Sequence, residues 1–228
     1  MSDGFITWYL RGPVSADPVD RLDETGAALT YPGAHEQVSI LDPEGSQVLV
    51  THDTFLSLLQ DSSPQNAAPS LTFQMWWSRS DDLVVTVRRH VGDGSPSAGL
   101  YGVGCSLDGL TTEQTNSLVA VTGRLLDEAP ESVVAAVIDR QGVTADLDWD
   151  AFISGSGEIP HFPDLLVMSR RHVEATRPGG DWSLGEPAPA LATLRGSPMF
   201  TPDEDSSRDY GGNRMMFDVA FRPGGPTS

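Results

Sequence analysis

The sequence predicts an α+β protein, a mixed or mainly antiparallel sheet with helices packed on one side. Three observations carry this. Several short runs alternate apolar and polar residues, helical patterns fall between such runs, and a ten-residue block occurs twice, at 82–91 and 164–173.

Each element follows from local chemistry. Ile6, Trp8 and Leu10 alternate with Thr7, Tyr9 and Arg11, so residues 5–11 form a strand with one buried face. Asp17-Pro18 opens a short helix, with Asp as N-cap and Pro as the first helical residue, and Gly26 stops it. Residues 37–41 and 47–51 flank Asp42-Pro43-Glu44-Gly45 and form a hairpin, because Pro second and Gly fourth is a turn pattern. A second short helix begins near Asp53 and ends before Ser63-Pro64.

Residues 71–78 and 83–91 pair as strands through the polar segment 79–82. Residues 100–107 form another strand, with Tyr101, Val103, Cys105 and Leu107 on one face and Gly102 and Gly104 on the other, where backbone or a helix approaches closely. The clearest helix is 111–129. Thr111 and Gln114 make a capping box, Leu118, Val121 and Leu125 form the buried stripe, and Pro130 ends it. Residues 133–138 are apolar on both faces, as a covered central strand requires. Residues 165–173 and 215–221 are the last strands, with a long acidic Pro/Gly-rich excursion at 177–213 between them and a flexible tail at 223–228.

The repeated block is Asp82-Leu-Val-Val-Thr-Val-Arg-Arg-His-Val91 against Asp164-Leu-Leu-Val-Met-Ser-Arg-Arg-His-Val173, identical at seven of ten positions. Upstream of each lies a helix end, a proline and a strand. The chain therefore reads as one domain, 1–228, built on a duplicated strand-helix-strand-strand unit with copies at 46–91 and 99–173.

Composition excludes several function classes. The chain of 228 residues has no lysine, so it has no phosphate-loop, Schiff-base or kinase lysine. All 14 basic residues are arginine, a usage that points to GC-rich coding of the actinobacterial kind. Cys105 is the single cysteine, which rules out an internal disulfide and a CxxC pair. No apolar run is long enough to span a bilayer, and Met1-Ser2-Asp3-Gly4 begins no signal peptide, so a cytoplasmic protein with no membrane role is expected. The net charge is −18, and residues 1–60 and 111–160 each hold nine acids against two arginines. Such a chain repels nucleic-acid phosphates and favours a basic protein partner.

Candidate chemistry is sparse. In the repeated blocks, alternation puts Arg88 and His90 on one face with Val84 and Thr86, and Arg170 and His172 with Leu166 and Met168. A pseudo-twofold axis would turn these two Arg-His sets into one cleft able to grip a carboxylate or phosphate. Asp146, Asp148 and Asp150 resemble the start of a calcium loop. The turn glycine is replaced by Ala151 and Glu158 falls one residue late, so no metal site is expected. His161, Asp164 and His172 lack ligand spacing, and Cys105 packs as a small apolar residue. No cofactor motif is present.

The expected function is therefore a non-enzymatic acidic binding protein of the inhibitor or immunity type. Its partner-binding residues are Asp127, Glu128, Glu131 and Trp149, with Trp76 and Trp182 as further exposed aromatics. The alternative is a small-ligand or anion-binding enzyme using Arg88, His90, Arg170 and His172.

Overall fold

The computed structural model describes residues 4–34, 36–60, 70–89, 99–128, 132–154, 163–169 and 214–217. It contains, in chain order, β1 (Phe5–Arg11), α1 (Asp17–Asp23), β2 (Gln37–Leu41), β3 (Gln47–Thr51), α2 (His52–Gln60), β4 (Ser70–Ser78), β5 (Asp81–Arg89), β6 (Leu100–Ser106), α3 (Thr112–Glu128), β7 (Val133–Asp139), α4 (Trp149–Ser154), β8 (Leu165–Ser169) and β9 (Arg214–Phe217). All nine strands join one sheet in the order β3-β2-β4-β5-β6-β1-β7-β8-β9, and every neighbouring pair is antiparallel. The protein is α+β, as its periodicities predict.

Strand alternation sorts the core into two layers. On one face Ile6, Trp8, Phe73, Val85, Val103 and Ile138 meet Leu22 of α1, Phe55 and Leu59 of α2, and Leu118, Val121 and Leu125 of α3. The Trp8 indole N–H donates to Thr122 Oγ1 (2.8 Å), so this buried pair also fixes α3 on β1. On the opposite face Tyr9, Ala135, Val137, Leu166 and Met168 pack against Trp149, Phe152 and Ile153 of α4. Three helices thus share one side, and the short α4 lies on the other. The expectation of helices on one side only is corrected by the Trp149–Ile153 apolar cluster, which needs the second face for burial.

Helix ends follow their residues closely. Thr111 and Gln114 exchange capping-box hydrogen bonds (2.7 and 3.3 Å), an arrangement that stabilises a helix by about 1 kcal/mol. At α1 the cap falls one residue earlier than the sequence predicts. Ala16 is the N-cap and makes no side-chain bond, while Asp17 lies inside the first turn. The β2–β3 hairpin closes as expected, with Asp42 Oδ1 accepting from the Glu44 and Ser46 amides and Gly45 at φ 82.

Segments 46–91 and 99–173 run β3-α2-β4-β5 and β6-α3-β7-α4-β8, the same order but for α4 in the second. In the sheet, each has an earlier strand inserted between its first and second strands, β2 in one and β1 in the other. Shared order is not superposition, and the duplication is not confirmed by it. The repeated aspartates also differ in partner. Asp82 accepts from Gln74 (2.7 Å), whereas Asp164 accepts from the Arg140 amide and guanidinium (2.7–3.2 Å). The excursion 177–213 and the tail 223–228 lie outside the described residues, as do positions 170–173 and 218–221 of the last two expected strands.

Candidate functional site

The sheet face that carries α4 holds a cleft of about 350 Å³ between β1, β5 and β6 and the segment 145–150. The row Thr86, Gly104, Thr7 across β5, β6 and β1 lines its floor together with Arg88, and the row Arg88, Gly102, Tyr9 runs beside it. The two glycines leave the middle of each row open. A Cβ on Gly102 would lie 3.7 Å from both Arg88 Nη2 and Tyr9 Cε1, and one on Gly104 would lie 3.4 Å from Thr7 Oγ1. The close approach that the glycines of β6 signal is therefore one of side chains crossing over them.

The wall is held by a chain of hydrogen bonds. Asp139, at the end of β7 and only 1% exposed, accepts from the Thr144 amide and hydroxyl (both 2.6 Å) and from the Gln141 amide (3.2 Å). Thr144 O in turn accepts from the Trp149 indole (3.2 Å), and Asp148 caps α4 through the Ala151 amide (2.9 Å). This sets Asp150 over the floor, where its Oδ1 accepts from the Tyr9 hydroxyl (2.8 Å) and from Arg88 Nη2 (3.1 Å). Burial, and next the Asp150 charge, push the Tyr9 phenol well above the usual range, so it stays a neutral donor.

The consecutive arginines have separate tasks because a strand alternates its faces. Arg88 points to the cleft, with its side chain 39% exposed. Arg89 points to the helical face and donates to the Leu58 and Leu59 carbonyls, which terminate α2 (3.1 Å to Leu59). That is an arginine C-cap.

Of the other predicted site residues, His90, Glu131, Arg170 and His172 lie outside the described residues, as do His161, Trp182 and Glu158. Asp127 and Glu128 end α3, but their side chains lie outside the described set. β5 and β8 run in the same direction with three strands between them, roughly 19 Å apart at the ~4.8 Å strand spacing. Trp149 is corrected: it is 5% exposed and packs edge-on against Phe152, which leaves no aromatic face for a partner. Trp76 is buried as well.

Tyr9 and Asp150 are site residues that the sequence did not reveal. Tyr9 reads as an ordinary strand residue, and Asp150 as part of an acidic turn. Asp148 and Asp150 are occupied as cap and ion-pair partner, and among the described residues no group of three or more His, Cys, Asp or Glu is placed to hold a metal ion. Cys105 is buried in the helical-side core and its thiol is pushed up by that burial, so it offers no thiolate to the cleft. The lining carries one cation, Arg88, against the carboxylates of Asp148 and Asp150. Such a cleft can accept hydrogen bonds and shield a cation better than it can bind an anion.

No family model, curated protein or solved structure matches the chain. Among the described residues, no helix is long and apolar enough to cross a membrane.

Proposed function

We propose that this chain is a non-enzymatic, cytoplasmic binding protein of the inhibitor or immunity type, which works by occluding a basic protein partner. One observation carries the reading. From residue 22 to residue 78 the chain has seven acids and no arginine or lysine. Glu24 pairs with Arg21 and Arg124, whereas Glu36, Glu44 and Asp53 are exposed and these three make no ion pair among the described residues. The negative field of these three carboxylates accelerates encounter with a basic surface. The same field disfavours nucleic acid. A reducing compartment suits the single free Cys105.

The test is capture of the partner from the native host, followed by surface-binding kinetics. Association slows several-fold between low and physiological salt, where screening shortens to ~8 Å. Reversal of Glu36, Glu44 and Asp53 to arginine lowers the association rate and leaves dissociation nearly unchanged. Recovery of a small anionic metabolite with no protein partner would end this reading.

A second reading, an anion-binding enzyme acting through Arg88, is favoured by one specific observation. Arg88 Nε is buried without a hydrogen-bond partner and is a spare donor beside the cleft. An anion there has to displace Asp150. Calorimetry with inorganic phosphate on the native chain and on Arg88→Ala tests it.

A further inference from the structure

β3 ends the sheet. Its inner side pairs with β2 over five residues in unbroken register, and among the described residues no strand pairs with its outer side. The hydrogen-bonding phase of the hairpin shows which main-chain groups face outward. Asp42 N donates to Ser46 O, and His52 N donates to Glu36 O, so the pairs 42/46 and 36/52 are of the hydrogen-bonded kind. These pairs alternate along an antiparallel ladder. Val48 and Val50 therefore bond inward to β2, while the N–H and C=O groups of Gln47 and Leu49 and the N–H of Thr51 project away from the sheet.

Edge strands of natural proteins are usually blunted by a charge, a proline or a bulge. The five residues Gln47-Val-Leu-Val-Thr51 contain none of these. Val48 and Leu49, on opposite faces, are 43% and 41% exposed, among the few large apolar side chains left so open. Charge is placed at the two ends instead. Asp42 and Glu44 stand at one end of the strand, Glu36 and Asp53 at the other, and Arg21 and Arg79 are the nearest basic residues in sequence.

We propose that β3 is a docking edge for an extended basic segment of the partner, which adds to the sheet as a tenth strand. The proposal rests on the acidic-binding reading above and names the surface and the form of ligand it takes. Outward amides and carbonyls supply main-chain hydrogen bonds, Val48 and Leu49 bury alternate apolar side chains of the added strand, and the flanking carboxylates meet its lysines or arginines. A second copy of this chain is the less suitable occupant, because each copy carries a net charge of −18 and brings the same acidic flanks to the junction.

The experiment uses the full chain and a labelled decapeptide that alternates lysine and valine, read by fluorescence anisotropy at low salt. Controls are the same peptide N-methylated at alternate residues, so that one edge has no donors, and a peptide alternating glutamate and valine. Saturable binding is expected for the basic peptide, at least tenfold weaker for the N-methylated one and absent for the acidic one. Leu49→Pro removes an outward N–H and no β2–β3 hydrogen bond, and should weaken binding at least tenfold with an unchanged melting temperature. Where that variant does not fold, the N-methylated peptide still decides the matter on the native chain. Equal binding of the native and N-methylated peptides, or none by either, overturns the docking edge. A dimer that sediments as such and is lost in Leu49→Pro overturns it in favour of self-pairing. An intact basic protein that still associates with salt-dependent rates leaves the broader reading standing in each of these cases, and its absence removes both.

Discussion

Arg88 and Tyr9 lie on strands that are not neighbours, yet both reach the same oxygen of Asp150, because the residue between them in the sheet is Gly102. The pair meets over a position with no side chain.

Glycine substitutions should therefore separate by surroundings. Gly102→Ala puts a methyl at ordinary contact distance from both side chains and should be nearly neutral, while Gly102→Leu should part them. Gly4→Ala is different, since its Cβ would fall 2.4 Å from the Arg140 carbonyl oxygen, and backbone has to move. Overpacking of that kind costs about 1–3 kcal/mol. Urea denaturation of the three variants should rank them in this order, and a Gly4→Ala midpoint equal to that of the parent would refute the packing.

The two adjacent arginines should differ in the same assay. Arg89→Met leaves the Leu58 and Leu59 carbonyls at the end of α2 without their charged donor and should cost about 1–3 kcal/mol. Arg88→Met removes a partly exposed ion pair and should cost no more than ~1 kcal/mol. Equal losses would mean that the alternation places them wrongly.

Asp139 organises the wall of the cleft from a buried position. Asp139→Ala strands the Thr144 amide and hydroxyl, a loss of about 1–3 kcal/mol for a buried donor, and frees the Trp149 segment. Hydrogen exchange should accelerate over 141–150 more than over β1 or β5. Uniform acceleration would show that the turn is not a separate unit.

Alkali should destabilise the fold. Tyr9, Tyr101 and Cys105 are all raised above their ordinary values of 10.0, 10.0 and 9.0, chiefly by burial. The folded chain therefore keeps protons that the unfolded chain gives up. This stabilisation is complete below pH about 9 and is lost as pH rises, with each group contributing up to ~1.4 kcal/mol per pH unit. The melting temperature should fall between pH 8 and 11, and Cys105→Ala should make the decline shallower. A flat profile over that range is the contrary result.

Much of this fold is legible from residue order. The strand at 5–11, the turn at 42–45 and the capping box at Thr111 all depend on neighbours a few positions apart and form where their residues predict, although β1 is buried on both faces and not on the one its alternation predicts. The candidate site is another matter. The row Arg88-Gly102-Tyr9 beside the cleft comes from three strands, and its register is set by the whole sheet, so no local pattern marks it. Trp149 reads from sequence as an exposed aromatic beside an acidic turn. Asp148 of that turn instead caps α4, and the indole is buried in the second core with its N–H on the Thr144 carbonyl. The two-sided burial of β7, legible from its sequence, was the one sign that something had to cover the second face.

The place of β1 between β6 and β7 has a consequence for biosynthesis. β1 leaves the ribosome well before the two strands that flank it, which lie within residues 100–139. At ~5–20 residues per second that interval is on the order of ten seconds, during which Ile6, Trp8 and Leu10 are exposed. The centre of the sheet is thus closed late, around a strand made well before its neighbours. A nascent chain halted before residue 133 should stay sensitive to protease at its amino end, even with its β2–β3 hairpin already formed.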